Sequence, residues 1–300
     1  MTKSIYSSVP GFLGKRLLGH VSLALFAMTL MALCGCHSGV LAPSGKIAAA
    51  ELKLVIFSLG LMLMVVIPVI LMALWFAWRY RESNNAKYTP EWQDSTLLEV
   101  IWWAIPCIVI LILGTVTWKT THNLDPYKSI DSLTKPVTIE VVSLDWKWLF
   151  IYPDYKIASV NYLKIPAGTP IDFKITAASP MNSFMIPELG GQIYAMTGMT
   201  TKLHLIADRP GLYRGLATNY TGIGFAGMHF VAEAVSPENF LDWVKMVKKL
   251  PKKLNATVFW DHLALKSIDD PTSQFGSVDD GLFDGIVMHY TMPPPEQESK

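Results

Sequence analysis

Uncharged apolar runs and short alternating segments divide the chain into two parts. The apolar runs cover residues 17–35, 54–78 and 100–118. A transmembrane helix needs about 20 apolar residues, so the second and third runs are predicted to cross a membrane. Pro68 and Pro106 fall inside them, which membrane helices tolerate because neighbouring helices satisfy the freed backbone groups.

Beyond Lys119 the apolar residues alternate with polar residues, as they do in β-strands. Residues 137–142 (VTIEVV) and 171–176 (IDFKIT) show this period of two together with enrichment in β-branched residues. Turn signals such as the Pro-Ala-Gly at residues 166–168 separate the segments. The further candidate strands are residues 146–151, 161–165, 202–206, 211–217 and 228–234. Several short strands at this spacing predict a β-sandwich or a barrel.

The pattern changes to a helical period after Ser236. Pro237 and Glu238 open a stretch whose apolar residues fit one face of an amphipathic helix. A second helix is predicted over residues 256–267, and residues 293–300 form a polar tail.

The first apolar run has the features of a secretory signal. Lys15 and Arg16 precede it, and small residues end it. Residues 33–36 (LCGC) resemble a bacterial lipobox, in which the last cysteine is acylated and becomes the first residue of the mature chain. This resemblance predicts removal of residues 1–35 and a covalent lipid on Cys36. The alternative is an ordinary transmembrane helix in which Cys34 and Cys36 are incidental.

Lipidation of Cys36 would fix the topology of the chain. The mature N-terminus would lie outside the cytoplasmic membrane, the segment after the first span would be cytoplasmic, and everything after Lys119 would be periplasmic. Arg79, Arg81 and Lys87 lie in the cytoplasmic segment, in keeping with the positive-inside rule.

Composition excludes several classes of protein. The chain is 51% hydrophobic and 16% charged, whereas soluble domains carry about 25% charged residues. A net charge of +1 provides no basic surface for nucleic acid. Its three cysteines, at positions 34, 36 and 107, do not form the disulfide framework of a secreted fold.

Four stretches resemble subunit 2 of the bacterial haem–copper terminal oxidases. They are residues 96–106 (TLLEVIWWAIP), 141–150 (VVSLDWKWLF), 181–190 (MNSFMIPELG) and 219–230 (NYTGIGFAGMHF). The resemblance implies a membrane helical hairpin of two transmembrane helices, followed by an all-β cupredoxin-like sandwich and a short helical C-terminal extension. The expected divisions are 1–35 signal peptide, 36–50 lipid-anchored periplasmic segment, 51–78 first transmembrane helix, 79–98 cytoplasmic loop, 99–118 second transmembrane helix, 119–235 cupredoxin-like domain, and 236–300 extension and tail.

Metal chemistry separates two branches of that family. The branch that oxidises cytochrome c holds a dinuclear copper centre with two cysteines, two histidines, a methionine and a backbone carbonyl. Here Asn182 takes the position of the first histidine, residues 220–225 (YTGIGF) replace the cysteine loop without any sulfur, and His229 lies near the second histidine. Thiolates are the ligands that electron-transfer copper requires, so we expect a copper-free domain. The tryptophan that accepts electrons in copper-containing relatives corresponds to Trp146, for which we expect a role in core packing.

The copper-free branch resembles the quinol oxidases of the cytochrome bo type. The resemblance implies subunit 2 of a proton-pumping ubiquinol oxidase in the bacterial inner membrane, which passes electrons from membrane quinol to oxygen. The expected partners are the haem-bearing subunit 1 and subunits 3 and 4, with haems and copper in subunit 1, no cofactor on this chain and no docking of cytochrome c. The alternative is a stand-alone membrane lipoprotein whose cupredoxin-like domain has a structural or copper-delivery role. A cytochrome c oxidase subunit is disfavoured by the missing thiols.

Glu99 is the candidate for proton chemistry. The resemblance implies a proton-collecting group at the mouth of a channel into subunit 1, and a carboxylate at a membrane boundary suits that role. A carboxylate that stabilises the helix N-terminus is the equally weighted alternative.

Three other groups of residues are predicted to be structural. The glycines at positions 222, 224 and 227 are expected to form a permissive turn, because no helix follows that could bind phosphate. His204 is expected to be an exposed strand residue. The methionines at positions 181, 185, 196, 199 and 228 are expected to fill the core rather than to bind copper.

Overall fold

The computed structural model describes residues 39–84 and 94–291. Two long helices come first, α1 over Lys46–Arg79 and α2 over Thr96–Asn123, and both are long and apolar enough to cross a membrane. Ala48 is the one buried residue of α1, and α2 has none. Lipid or partner subunits must therefore cover their apolar side chains. Both helices extend beyond the apolar runs seen in the sequence.

Thirteen strands and three further helices follow α2 within the described residues. The strands are β1 (Val137–Leu144), β2 (Lys147–Tyr152), β3 (Ile157–Val160), β4 (Tyr162–Pro166), β5 (Ile171–Ala177), β6 (Asn182–Met185), β7 (Gln192–Ala195), β8 (Thr201–Leu205), β9 (Gly211–Ala217), β10 (His229–Val235), β11 (Lys253–Leu254), β12 (Ser273–Phe275) and β13 (Ser277–Val278). The helices are α3 (Pro237–Val247), α4 (Ala256–Val258) and α5 (Leu282–Thr291).

The strands form a sandwich of two mixed sheets. One sheet has the order β12-β3-β2-β1-β5-β8 and the other has the order β4-β10-β9-β6-β7, while β11 and β13 pair separately. The pairs β1–β5 and β4–β10 are parallel, and each is joined by a long crossover. The sandwich predicted from the sequence is confirmed, and each of the seven predicted strands overlaps an observed one.

Two apolar cores hold the outer domain together. The first lies between the sheets and contains an aromatic cluster in which Phe184 and Phe230 stack at 5.2 Å. The second lies between the outer face of the six-stranded sheet and the C-terminal extension, where Leu149 meets Phe259 and Phe283. A strand covered on both faces reads as a continuous apolar run, and all six residues of β2 are buried.

The C-terminal extension adopts the predicted helical character only in part. Helix α3 begins after Ser236, whose side chain accepts a hydrogen bond from the Asn239 amide at 3.3 Å. The helix predicted over residues 256–267 is shorter, because α4 passes into a single π-helical turn over Phe259–Leu263 and stops there. The carbonyl and side chain that follow at Leu265 and Ser267 bind a buried lysine instead of continuing the helix.

The first turn of α1 is fixed to the sandwich. The Ser44 amide donates to the Glu188 carbonyl at 2.7 Å, and the Ser44 carbonyl accepts from the Asp208 amide at 2.8 Å. A Cβ on Gly45 would collide with the carbonyl oxygen of Ile206 and lie 3.0 Å from that of Leu189. Glycine is therefore required where the helix enters the outer domain.

Candidate functional site

Asn182, which the resemblance predicts at a lost copper-ligand position, pairs with a thioether in the structure. Asn182, at the start of β6, is buried, and its Nδ2 donates to the Sδ of Met228 at 3.0 Å. The Asn182 Oδ1 accepts the Ser183 amide at 2.8 Å. Phe184 and Phe230 follow these residues by two positions in the chain and stack on each other in the aromatic cluster of the same core. Both polar atoms of the Asn182 side chain therefore have hydrogen-bond partners inside the domain.

His229, which the sequence analysis placed near the second histidine position, does not contact Asn182. Its side chain is exposed, because β10 turns Met228 and Phe230 inward and His229 outward. The residue that faces Asn182 is Met228. Whether Met228 or His229 points inward depends on where the strand alternation begins. The irregular sequence GFAGMHF does not reveal that starting point.

The loop between β9 and β10 packs on Trp146. The Trp146 indole donates to the Thr221 carbonyl at 3.3 Å, and its ring covers Gly224 so closely that any Cβ there would collide with it. Gly222 has φ +112°, which a side chain would strain. The prediction of a permissive turn is confirmed, and Trp146 packs at the edge of the core as expected.

A buried lysine joins the C-terminal extension to the sandwich, and sequence reasoning did not identify it. Lys147 is 3% exposed; its Nζ donates to the Leu265 carbonyl at 3.0 Å and pairs with the Asp270 carboxylate at 2.6 Å. Ser267 accepts a further hydrogen bond from it, and Asn161 Nδ2 donates to the Asp270 carbonyl at 3.0 Å. We call Lys147, Asn161, Ser267 and Asp270 the C-terminal clamp.

The clamp lowers the pKa of Asp270. Burial alone would raise the pKa of this carboxyl, but the hydrogen bonds from Lys147 and Ser267, with the charge of Lys147, outweigh burial and hold the pKa below its ordinary value. The neighbouring Asp269 carboxylate lies against Gly227, where a Cβ would collide with it. The clamp thus holds the extension against the loop that carries the copper ligands in the resembling family. The available sequence signal for this buried lysine was its position between two tryptophans in a predicted strand.

Glu99 lies in the first turn of α2. The helix begins at Thr96, the Glu99 amide donates to the Ser95 carbonyl at 2.9 Å, and the Glu99 side chain is exposed. Within residues 39–84 and 94–291 the Glu99 carboxylate makes no hydrogen bond. Any effect on the helix would therefore act through the helix dipole rather than through a capping hydrogen bond.

Two of the structural predictions require correction. His204 was expected to be exposed, but its side chain is 10% exposed and its Nδ1 lies 2.7 Å from Asp172. The side chain faces outward as alternation requires, pairs with its cross-strand neighbour Asp172, and lines the cavity between the sandwich and the helix ends. The methionines were expected to fill the core, yet Met181 and Met199 are exposed, and Met228 alone is fully buried.

The side chains present do not fit a dinuclear copper centre. The polar pair at Asn182 consists of an amide and a thioether, which lack the imidazole and thiolate ligands of such a centre, and no cysteine occurs between residues 119 and 300. Among the described residues no group of three or more His, Cys, Asp and Glu is placed to hold a metal ion. Cys36, the expected lipidation site, lies outside the described residues.

Comparison with known proteins identifies two family regions. Residues 157–235 match the family described as cytochrome c oxidase subunit II, periplasmic domain, and residues 248–294 match the COX aromatic rich motif. The second match covers the segment that the clamp attaches to the sandwich.

Full-length relatives narrow the assignment. The chain is 50% identical over 257 residues to cytochrome bo(3) ubiquinol oxidase subunit 2 of Pseudomonas aeruginosa, covering 85% of this chain and 77% of that protein. It is 48% identical over 276 residues to ubiquinol oxidase subunit 2 of Acetobacter aceti, covering 91% and 87%. It is 43% identical over 229 residues to quinol oxidase subunit 2 of Bacillus cereus, covering 75% and 79%. The chain belongs to the ubiquinol oxidase subunit 2 family, within the subunit II proteins of the haem–copper oxidases.

Proposed function

We propose that this chain is the second subunit of a proton-pumping ubiquinol oxidase in a bacterial inner membrane. The complex oxidises ubiquinol and reduces oxygen to water, and the haems, the copper of the oxygen site and the quinol site lie in subunit 1. The pairing of Asn182 with Met228 carries the proposal, because a domain without thiolate or imidazole at this position provides no copper relay for electrons from cytochrome c.

The role of this chain in the complex is structural. Its helices expose apolar side chains between Val55 and Trp78 and between Leu97 and Trp118, which suits packing against lipid and the larger subunits. The fixed junction at Ser44 and Gly45 would hold the sandwich over the membrane in one orientation. Subunits 3 and 4 are the other proposed partners, and acylation of Cys36 would add a second attachment to the membrane.

Glu99 is the proposed proton-collecting residue. Its carboxylate is exposed at the start of a membrane helix and has no hydrogen-bond partner in the described part of the chain, which suits a group that meets water at the membrane boundary. Each relative named above is an oxidase subunit, and the stand-alone lipoprotein alternative has no comparable support.

Affinity purification through a tag on this chain tests the proposal. The chain, expressed with its neighbouring oxidase genes, is expected to bring down a haem-containing partner that oxidises ubiquinol and consumes oxygen. The reduced-minus-oxidised haem spectrum and the quinol-dependent oxygen uptake are measured on the same preparation. Recovery of the chain without haem, while oxidase activity remains in the unbound fraction, would contradict the proposal.

A further inference from the structure

A cavity of about 340 Å³ lies where the two membrane helices join the sandwich. Its wall includes Lys46 and Glu51 of α1, Asn123 at the end of α2, Lys128 of the following linker, and Gln192 and His204 of the sandwich. The uncharged part of α1 begins at Leu54, so the cavity lies at the depth of the lipid head groups. Its volume is within the range of small-ligand sites.

Glu51 brings an incompletely satisfied negative charge to this cavity. One carboxylate oxygen, Oε1, accepts the Gly191 amide at 3.1 Å, and a Cβ at Gly191 would lie 2.8 Å from that oxygen. The side chain is half-buried, and none of the ion pairs formed within residues 39–84 and 94–291 includes it. A carboxylate withdrawn from water is stabilised by a cationic partner, and this one faces an open volume.

Two lysines supply the opposite charge in the same wall. Lys46 lies one and a half helical turns before Glu51, and Lys128 reaches the cavity from the linker that leaves α2. Both are exposed, and neither joins an ion pair among the described residues. Ammonium groups of this kind bind phosphate as point charges. The exposed carboxylates of Asp125 and Asp131 line the same wall, so the cavity presents charges of both signs, which suits a zwitterionic ligand that carries a cation and a phosphate.

We propose that this cavity binds the phosphoethanolamine head group of a membrane phospholipid. The primary ammonium of the lipid contacts the Glu51 carboxylate, and its phosphate lies between Lys46 and Lys128. Choline head groups are typically recognised by aromatic rings around the quaternary ammonium, and the cavity wall contains no Phe, Tyr or Trp. Phosphatidylglycerol has no cation to offer Glu51. A divalent metal ion is a poor alternative, since no metal-binding group of three or more carboxylates, histidines or cysteines occurs in the described residues.

Lipid titration of the purified full chain, followed by native mass spectrometry, tests this site. The probes are dioleoyl phosphatidylethanolamine, dioleoyl phosphatidylglycerol and dioleoyl phosphatidylcholine in the same detergent. The ethanolamine lipid is expected to bind about tenfold more tightly than the others, the size of effect that one charge-assisted hydrogen bond provides. Glu51→Gln keeps the acceptor for Gly191 and is expected to abolish this preference. Exchanging both Lys46 and Lys128 for Gln is expected to weaken the binding of the ethanolamine lipid and of the glycerol lipid alike.

Lys53→Gln is the matched control, because Lys53 is an exposed charge on the same helix outside the cavity wall, and it is expected to leave lipid binding unchanged. Near-ultraviolet circular dichroism checks that each variant folds. If Glu51→Gln does not fold, Glu51→Asp takes its place and must retain the preference for the ethanolamine lipid. Equal binding of the three lipids by the unaltered chain, or a preference that survives Glu51→Gln, would overturn the proposal. Binding of O-phosphoethanolamine without retention of the lipid would also overturn it, in favour of a soluble ligand. Lipid occupancy is measured without oxidase turnover, so failure here is distinguishable from failure of the proposed function.

Discussion

The Asn182 amide nitrogen lies 3.0 Å from the Met228 sulfur, inside the sandwich and above a layer of aromatic rings. Asn182 is the first residue of β6 and Met228 comes directly before β10, and β9 lies between these two strands in the sheet. Their contact satisfies a buried polar group with the neighbour available, since a buried amide without a partner costs about 1–3 kcal/mol. The residue predicted at the copper-ligand position, Asn182, thus lies in the packed core.

Copper titration of the full chain tests this assignment. Copper(II) is expected to give no intense thiolate-to-copper absorption from the sandwich, because every cysteine of the chain lies at or before position 107. Cys107→Ser is the control, since Cys107 is exposed on α2 and can react by itself. A dinuclear copper spectrum that persists in Cys107→Ser would contradict the interpretation of this site.

Two ion pairs of the same length provide a matched test of the C-terminal clamp. Lys147–Asp270 and Lys156–Asp280 both span 2.6 Å, but the lysine side chains are 3% and 61% exposed. Lys147→Met is expected to lower the free energy of unfolding by about 1.5–3 kcal/mol, because it leaves Asp270 without its charged partner. Lys156→Met is expected to cost about 0–1 kcal/mol. Denaturant unfolding measures both, and equal losses would show that the clamp contributes no more than a surface pair.

The pH dependence of the clamp follows from the lowered pKa of Asp270. A carboxyl whose pKa is lower in the folded than in the unfolded chain stabilises the fold above its unfolded pKa, near 3.9. That contribution is lost as the pH falls below about 4 and through the folded pKa. The stability difference between the unaltered chain and Asp270→Asn is therefore expected to be full at neutral pH and to shrink in acid. Asp280→Asn is the control for general acid effects, and a difference that stays constant from pH 7 to pH 3 would argue against the shift.

Local patterns in the sequence determine how much of this architecture is predictable. Strands with clear alternation, such as β1 and β5, and the capped helix α3 were recognised, because each forms from its own residues. Strands β3, β6, β7, β11, β12 and β13 were missed: each has at most four residues, and β7 is an edge strand without a buried alternating face.

Contacts between distant segments could not be predicted in the same way. Lys147 meets residues more than 100 positions later in the chain, so its partners depend on where the extension packs. The surroundings of the His204 side chain likewise include the helix ends that line the same cavity, and these are distant in the sequence. Asn182 was identified through family resemblance, and its partner Met228 required the structure.

Lipidation of Cys36 remains a prediction about residues outside those described. Mass spectrometry of the purified chain is expected to show a mature protein that begins at Cys36 and carries acyl chains. Cys36→Ala is expected to yield an uncleaved or unlipidated chain that migrates more slowly, and oxidase activity is expected to survive because α1 and α2 still anchor it. Cys107→Ala serves as the control and is expected to be processed normally. Failure of radiolabelled palmitate to label the unaltered chain would remove the lipoprotein assignment.

The two hypotheses for Glu99 make different predictions for a pair of variants at the same helix end. Glu99→Gln removes the proton carrier and keeps the shape, whereas Asp94→Asn removes a neighbouring exposed carboxylate that lies just before α2. If Glu99 collects protons for subunit 1, Glu99→Gln is expected to assemble with normal haem content and to oxidise quinol severalfold more slowly. Glu99→Asp is expected to restore part of the rate, and Asp94→Asn to have no effect.

A helix-dipole role would produce another outcome. Either carboxylate near the N-terminus of α2 would then contribute about 0.3–1 kcal/mol, which a helix packed in a complex can lose without a change in turnover. Glu99→Gln and Asp94→Asn would both leave the rate of quinol oxidation unaltered. Rates measured at saturating ubiquinol, normalised to haem, therefore decide between the hypotheses, and an unchanged rate in Glu99→Gln would exclude proton collection at this residue.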